Sequence, residues 1–285
     1  MPSRRFAPVL FNHLAQRPAP VRILAFLLLL TLLWLPFAAV IQWQIKDPNR
    51  VTILAMSLLF VEFLVLMRWW GRRVYGRSHP FRHYGLGWSR QGWVELVQGL
   101  SIGLGSLFAL FLLESIMGWV AWQPLTLQLG RFVVEGALTG LGTALAEELV
   151  FRGWLLDECD RDYAPVRAGW VVAILFATLH FLKPLGEVIR TFPQFPSLVI
   201  LGILLVWAKR TVQGRLSLPI GLHGGLVWGY YIVNVGSLIT YTGQAPDWVT
   251  GIDKNPLAGL AGIACLSLLA LWIRGRSPQS AQTLN

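Results

Sequence analysis

Two adjacent glutamates, Glu147 and Glu148, interrupt the apolar run Leu145-Ala146-Glu147-Glu148-Leu149-Val150-Phe151-Arg152. A carboxylate in hydrocarbon loses its hydration, so its presence there needs a reason. On a helix Glu148 and Arg152 are neighbours at i and i+4 and can form an ion pair. Glu147 points about 100° away from Glu148, towards a different neighbour. Two of the five histidines fall in later apolar runs: His180 closes Phe176-Ala177-Thr178-Leu179-His180, and His223 sits in Gly221-Leu222-His223-Gly224-Gly225. A carboxylate and two imidazoles from three helices could hold and deprotonate a water. The carboxylate would act as general base, and an imidazole can orient water, donate a proton or bind a metal. The competing reading is structural: charge neutralisation and helix packing for the glutamates, and hydrogen-bonded core positions for the histidines.

The elements that must position these groups are membrane helices. The 285-residue chain is 55% apolar and 13% charged, whereas a soluble domain carries about a quarter charged residues. Mean hydropathy is +0.56. Eight apolar segments approach the ~20 residues a span requires: 22–43, 51–70, 93–121, 131–156, 167–183, 195–208, 216–238 and 256–273. The expected fold is an all-α polytopic bundle of about eight transmembrane helices. A hairpin with a basic inner loop (1–90) precedes a membrane core (91–285). The first segment, preceded by Arg4, Arg5 and Arg17, is too long for a signal-peptide core and reads as a retained anchor.

The net charge of +10 does not indicate nucleic acid, because the basic residues are spread between apolar segments. With the N-terminus inside, 18 Lys and Arg fall on inner segments and 6 on outer ones. The expected topology therefore has both termini on the cytosolic side of a multi-pass protein. The two cysteines, Cys159 and Cys265, show neither disulfide nor zinc-type spacing. Small residues four apart predict close helix packing: Gly99 and Gly103, Gly136 and Gly140, and Gly221, Gly225 and Gly229. Gly225, near His223, could also make room for a substrate.

Other polar residues have plainer readings. Glu95 and Glu135 lie near predicted span ends, where they can reach water, and no partner for Glu62 or Glu114 is visible. The acidic group Asp157, Glu158, Cys159, Asp160 and Asp162 reads as a solvated inner loop rather than a cation site. The stretch with Pro184, Pro193 and Pro196 reads as an ordinary turn region.

In type and order, Glu147-Glu148-x-x-x-Arg152, then Phe176-x-x-x-His180, then His223 resemble the motifs of the CPBP intramembrane endopeptidases. That family groups CAAX prenyl proteases with bacteriocin-processing and Abi-type proteins. The resemblance covers roughly 130–237, about a third of the chain. It implies hydrolysis of a peptide bond in a membrane-embedded or lipid-anchored protein or peptide, with Glu147 activating water, His180 helping, and Glu148 and Arg152 supporting the site. One position departs from the pattern. Four residues after its last His the family usually has Asn, thought to stabilise the oxyanion, and here stands Val227, which has no donor. Loss of one such donor typically costs ~10²–10³ in rate. Tyr230, seven residues after His223, is the better candidate replacement. Asn234 shares its face but lies ~16 Å along the axis from His223.

Three functions follow as expectations: an endopeptidase, a catalytically inactive scaffold that binds and protects partner proteins, and a proton-coupled transporter. The absence of an internal repeat weighs against the last. Cofactor use is left open by the residues. A zinc ion would take Glu147, His180 and His223 as ligands, yet a carboxylate and an imidazole can activate water unaided. The stretch Trp228-Gly229-Tyr230-Tyr231 gives a cyanobacterial or plastid impression, so a thylakoid or plastid membrane stands beside the plasma membrane as a location.

Overall fold

The computed structural model describes residues 13–87 and 89–277; Arg4 and Arg5, part of the charge argument above, lie outside them. The protein is an all-α membrane bundle with eight described helices of fifteen or more residues: α1 Ala19–Gln44, α2 Pro48–Arg73, α3 Arg90–Ile116, α4 Leu129–Glu148, α5 Pro165–Leu179, α6 Phe195–Thr211, α7 Ser217–Asn234 and α8 Leu260–Gly275. Four described runs are long and apolar enough to cross a membrane: α1, α2, α3 and the run Leu185–Thr211 that ends in α6. Helices α5 and α8 are shorter apolar helices. One small departure from all-α is an antiparallel ribbon in which Val120–Trp122 pairs with Ile239–Tyr241.

The chain divides into two compact units, the first comprising the residues up to Tyr84 together with Asp157–Tyr163. Asp47 starts α2 by accepting a hydrogen bond from the Arg50 amide at 2.8 Å. Phe26 of α1 meets Phe63 and Trp70 of α2 edge to face, with ring centroids 5.8 and 5.3 Å apart. Leu24, Leu28, Leu32 and Leu35 of α1 remain exposed, as a lipid-facing surface requires.

The 157–163 segment corrects the reading of a solvated acidic loop. Glu158 is fully buried. It accepts from Arg22 Nε at 2.8 Å and from the Tyr75 hydroxyl at 2.6 Å. Arg77, His83 and Arg161 surround Asp157. Glu158 and Asp157 pair with Arg22, Tyr75, Arg77 and His83, far away in sequence, so local composition could not show these contacts; Asp160 and Asp162 remain exposed, as a solvated loop predicts. Burial alone would raise the Asp157 carboxyl, but Arg77, His83 and Arg161 outweigh it and hold that group below the usual carboxylate range. Its stabilising contribution is therefore complete above pH ~4 and is lost as pH falls through the depressed value. Asp157→Asn should melt below wild type at pH 7, with the difference shrinking below pH ~4. A constant difference across detergent melts at both pH values would contradict this assignment.

The second unit, Gly85–Leu156 with Ala164 onward, positions the candidate site. Ser89 caps α3 by accepting from the Gly92 amide at 3.0 Å. Helix α7 packs against both α3 and α4, and glycines make the approach possible. A Cβ on Gly103 would lie 2.2 Å from the Leu222 carbonyl, and one on Gly221 2.1 Å from that of Leu96. A Cβ on Gly140 would lie 2.7 Å from the Gly224 carbonyl. Gly225 faces the Leu100 carbonyl, 2.5 Å from its would-be Cβ, so that side is filled by α3 and offers a substrate no room. Gly103→Ala should cost about 1–3 kcal/mol through overpacking, read by denaturant unfolding in detergent. An unchanged midpoint would mean that the seam is not as tight as described.

Three further features differ from the sequence expectation. Glu95 does not reach water: it is buried and accepts from Arg215 Nη2 and Ser217 Oγ, both at 2.6 Å. The stretch after α5 is not a plain turn, since it forms a helix, Leu185–Thr191, and a tighter turn, Phe192–Gln194. The helix carrying the glutamates changes character at Leu149, where a seven-residue π-helical run, Leu149–Leu155, replaces the α-helical ladder.

Candidate active site

The change from α- to π-helix comes immediately after Glu148, and Arg152 lies within the wider turn. Such insertions occur often at functional sites. Glu148 and Arg152 form the expected i,i+4 pair, Oε1 to Nη1 at 2.9 Å, with both side chains fully buried. Arg152 is held on further sides. Its Nη2 donates to the Gly202 carbonyl at 3.0 Å, and its guanidinium lies 4.4 Å from the Phe176 ring centroid. Gly202 can serve because α6 approaches α5 closely: a Cβ there would be 2.8 Å from Ala173 Cα.

Glu148 carries a second contact that connects it to α7. The same Oε1 lies 2.9 Å from His223 Nδ1. A carboxylate paired with arginine is an acceptor, so Nδ1 carries the hydrogen and donates. This fixes the ring and turns Nε2 the other way, 3.8 Å from Glu147 Oε2. That gap is too long for a direct hydrogen bond and short enough for one water to serve both atoms. Glu147 is partly exposed, but its Oε2 is buried and has no hydrogen-bond partner. A buried orphan acceptor beside an oriented imidazole has the form of a water-binding position.

Glu147, His180, His223, Val227 and Tyr230 line one cavity of about 290 Å³. Its other walls are mainly apolar, among them Leu198, Leu201, Leu226 and Leu266. Glu148 and Arg152 lie behind the wall: Glu148 touches it through His223 and Arg152 through the Phe176 ring. His180 is not inside a helix as expected: α5 ends at Leu179, and His180 is its exposed C-terminal cap. Its Nδ1 donates to the Phe176 carbonyl at 2.7 Å, and its ring packs against Phe176 with centroids 4.6 Å apart. The short contact to Glu147 thus comes from His223. Val227 leaves its part of the wall without a donor. Tyr230 lines the cavity, whereas the Asn234 amide donates to the Tyr230 carbonyl of its own helix.

The chain matches the Rce1-like family, type II CAAX prenyl endopeptidases, over residues 129–229. This bears out the resemblance to the CPBP and CAAX proteases. The Rce1-like segment runs from the start of α4 to Gly229 in α7. It contains the glutamate pair, Arg152, both histidines and Val227, and Tyr230 lies one residue beyond it. No curated protein and no solved structure matches the chain.

A zinc ion needs several donors within ~2.0–2.2 Å of one point. Among the described residues no three His, Cys, Asp or Glu side chains are grouped to hold a metal ion. As placed, Glu147, His180 and His223 are not grouped as a zinc site. Sequence reasoning missed three contributors: Phe176 as the face under Arg152, the Gly202 carbonyl, and the Glu148–His223 bond. Phe176 belongs to the recognised motif and so carried a signal. The other two are long-range contacts with no local trace.

Proposed function

We propose that this protein is an intramembrane endopeptidase in which Glu147 is the general base. The observation that carries the reading is His223 held between two carboxylates, bonded to buried Glu148 on one side and 3.8 Å from the orphan oxygen of Glu147 on the other. A water bound to Glu147 Oε2 and His223 Nε2 would lose a proton to Glu147 as its oxygen attacks the scissile carbonyl carbon. Collapse of the tetrahedral adduct breaks the C–N bond, and Glu147 returns the proton to the leaving amine. Glu148 and Arg152 act through His223 by fixing its tautomer and orientation, as second groups commonly do for functional histidines. Tyr230, on the same cavity, carries a hydroxyl that can donate to the developing oxyanion, whereas His180, its Nδ1–H committed to the Phe176 carbonyl, offers Nε2 as an acceptor.

The substrate class is a membrane-associated polypeptide carrying a lipid, in keeping with the prenyl-protease family and the largely apolar cavity. The excess of Lys and Arg on the inner segments supports a reading in which both termini are cytosolic. The test is cleavage of a fluorescent farnesylated CAAX peptide by purified wild type and Glu147→Gln protein. Equal cleavage by the two would refute the assignment of Glu147.

A further inference from the structure

The cavity has a second polar region that the reaction above does not use. Asn255 and Gln194 line it together with Glu147 and His223. Asn255 Oδ1 accepts from the Leu257 amide at 3.0 Å. This orients the carboxamide and leaves its NH₂ without a hydrogen-bond partner among the described residues. Gln194 likewise makes no side-chain hydrogen bond among the described residues.

The segment carrying Asn255 is built at a cost. Asp253 and Lys254 are consecutive non-glycine residues in the left-handed region, with φ of 57° and 61°. Such conformations persist only where the surroundings enforce them, and they gather at binding and catalytic sites. Here the enforcement is visible. Asp253 is ion-paired to Arg190, Lys254 and Asn255 donate back to Gly251 and Ile252, and Gly262 of α8 packs on Pro256 so closely that a Cβ would sit 2.0 Å from the Pro256 carbonyl. The result is a fixed loop presenting one carboxamide to an otherwise apolar wall.

We infer that Asn255, supported by Gln194, binds the main chain of an extended polypeptide lying in this cavity. A carboxamide NH₂ donates to a peptide carbonyl whatever the side chain beside it, so the contact positions substrate without selecting its sequence. The inference rests on the endopeptidase reading for the identity of the occupant. It makes Asn255 a substrate-positioning residue, distinct from the groups that handle the water.

The experiment measures binding of a fluorescent farnesylated CAAX peptide to full-length protein, with Glu147→Gln as the background so that no probe is consumed. A series of probes replaces one peptide bond at a time with an ester, which weakens that carbonyl as an acceptor. In the background protein, one ester position should lower affinity about 3- to 10-fold, the worth of one hydrogen bond. Adding Asn255→Asp, which keeps the acceptor for the Leu257 amide and removes the donor, should abolish the difference at that position alone. Asn255→Ala should do the same if the loop tolerates Asp poorly. An ester effect that survives both substitutions overturns the proposal, as does the absence of any peptide binding. Wild-type cleavage unaffected by Asn255→Asp sinks this inference and leaves the protease reading intact. Asn255-dependent binding without cleavage by wild type does the reverse.

Discussion

Glu147→Gln protein should bind a farnesylated CAAX peptide as wild type does and cleave it about 10²- to 10⁴-fold more slowly, the usual contribution of a general base. Glutamine preserves the shape of the cavity wall but cannot take a proton at neutral pH. The substitution should also leave the fold intact. Glu147 Oε2 has no hydrogen-bond partner to lose, and changes outside paired or packed positions usually stay within about 0.5 kcal/mol. Equal melting temperatures with unequal kcat are thus the signature. If wild type and variant rescue a null strain equally and neither cleaves, the protein has kept the fold as a scaffold, a function Val227 would then fit.

Arg152→Met should be the most destabilising single change at the site, by about 3–5 kcal/mol. It leaves the Glu148 carboxylate fully buried with no cation beside it, and Glu148 Oε2 already lacks a partner. Converting Glu148 to Gln in the same chain should recover much of that loss, because the buried charge is then gone from both sides. The double variant should nevertheless stay impaired in catalysis, since His223 Nδ1 has lost the ionised acceptor that orients it; outer partners of this kind are typically worth 10–100-fold. Denaturant unfolding of the three variants in detergent closes the cycle. A double variant no more stable than Arg152→Met would show that the pair is not coupled as its geometry implies.

The parts of this site that the sequence displays are those whose physical cost is local. Glutamates inside an apolar run stand out without any structure, the i,i+4 spacing of Glu148 and Arg152 is a property of one helix, and the histidines are rare enough to notice. The all-α membrane character was legible for the same reason, because each apolar segment is bounded by its own charges and turns. The hidden parts depend on contacts between distant segments. Glu148 and His223 are 75 residues apart, and Arg22 and Glu158 are 136 apart. No periodicity encodes either pairing. The end of α5 at Leu179 and the π-helical run after Glu148 escaped because their residues are as apolar as ordinary helix, so composition is blind to the change in winding. The glycine spacing announced close packing but not its partner, and Gly225 was open to misreading on that account.

The glycine seam has a mechanical consequence. Where a helix rests on its neighbour through side chains, rotamer changes can absorb a small slide. Where backbone meets backbone, as α7 meets α3 at Gly99, Gly103, Gly221 and Gly225, there is no such give. The three helices α3, α4 and α7 therefore act as one anvil, and the distance between Glu147 and His223 is set by main-chain geometry. The opposite walls of the cavity, Leu198 and Leu201 of α6 and Leu266 and Leu269 of α8, are flexible aliphatic side chains. On the endopeptidase reading, a polypeptide entering from the lipid would be admitted by yielding on that side, with breathing and chemistry on opposite faces of the same cavity.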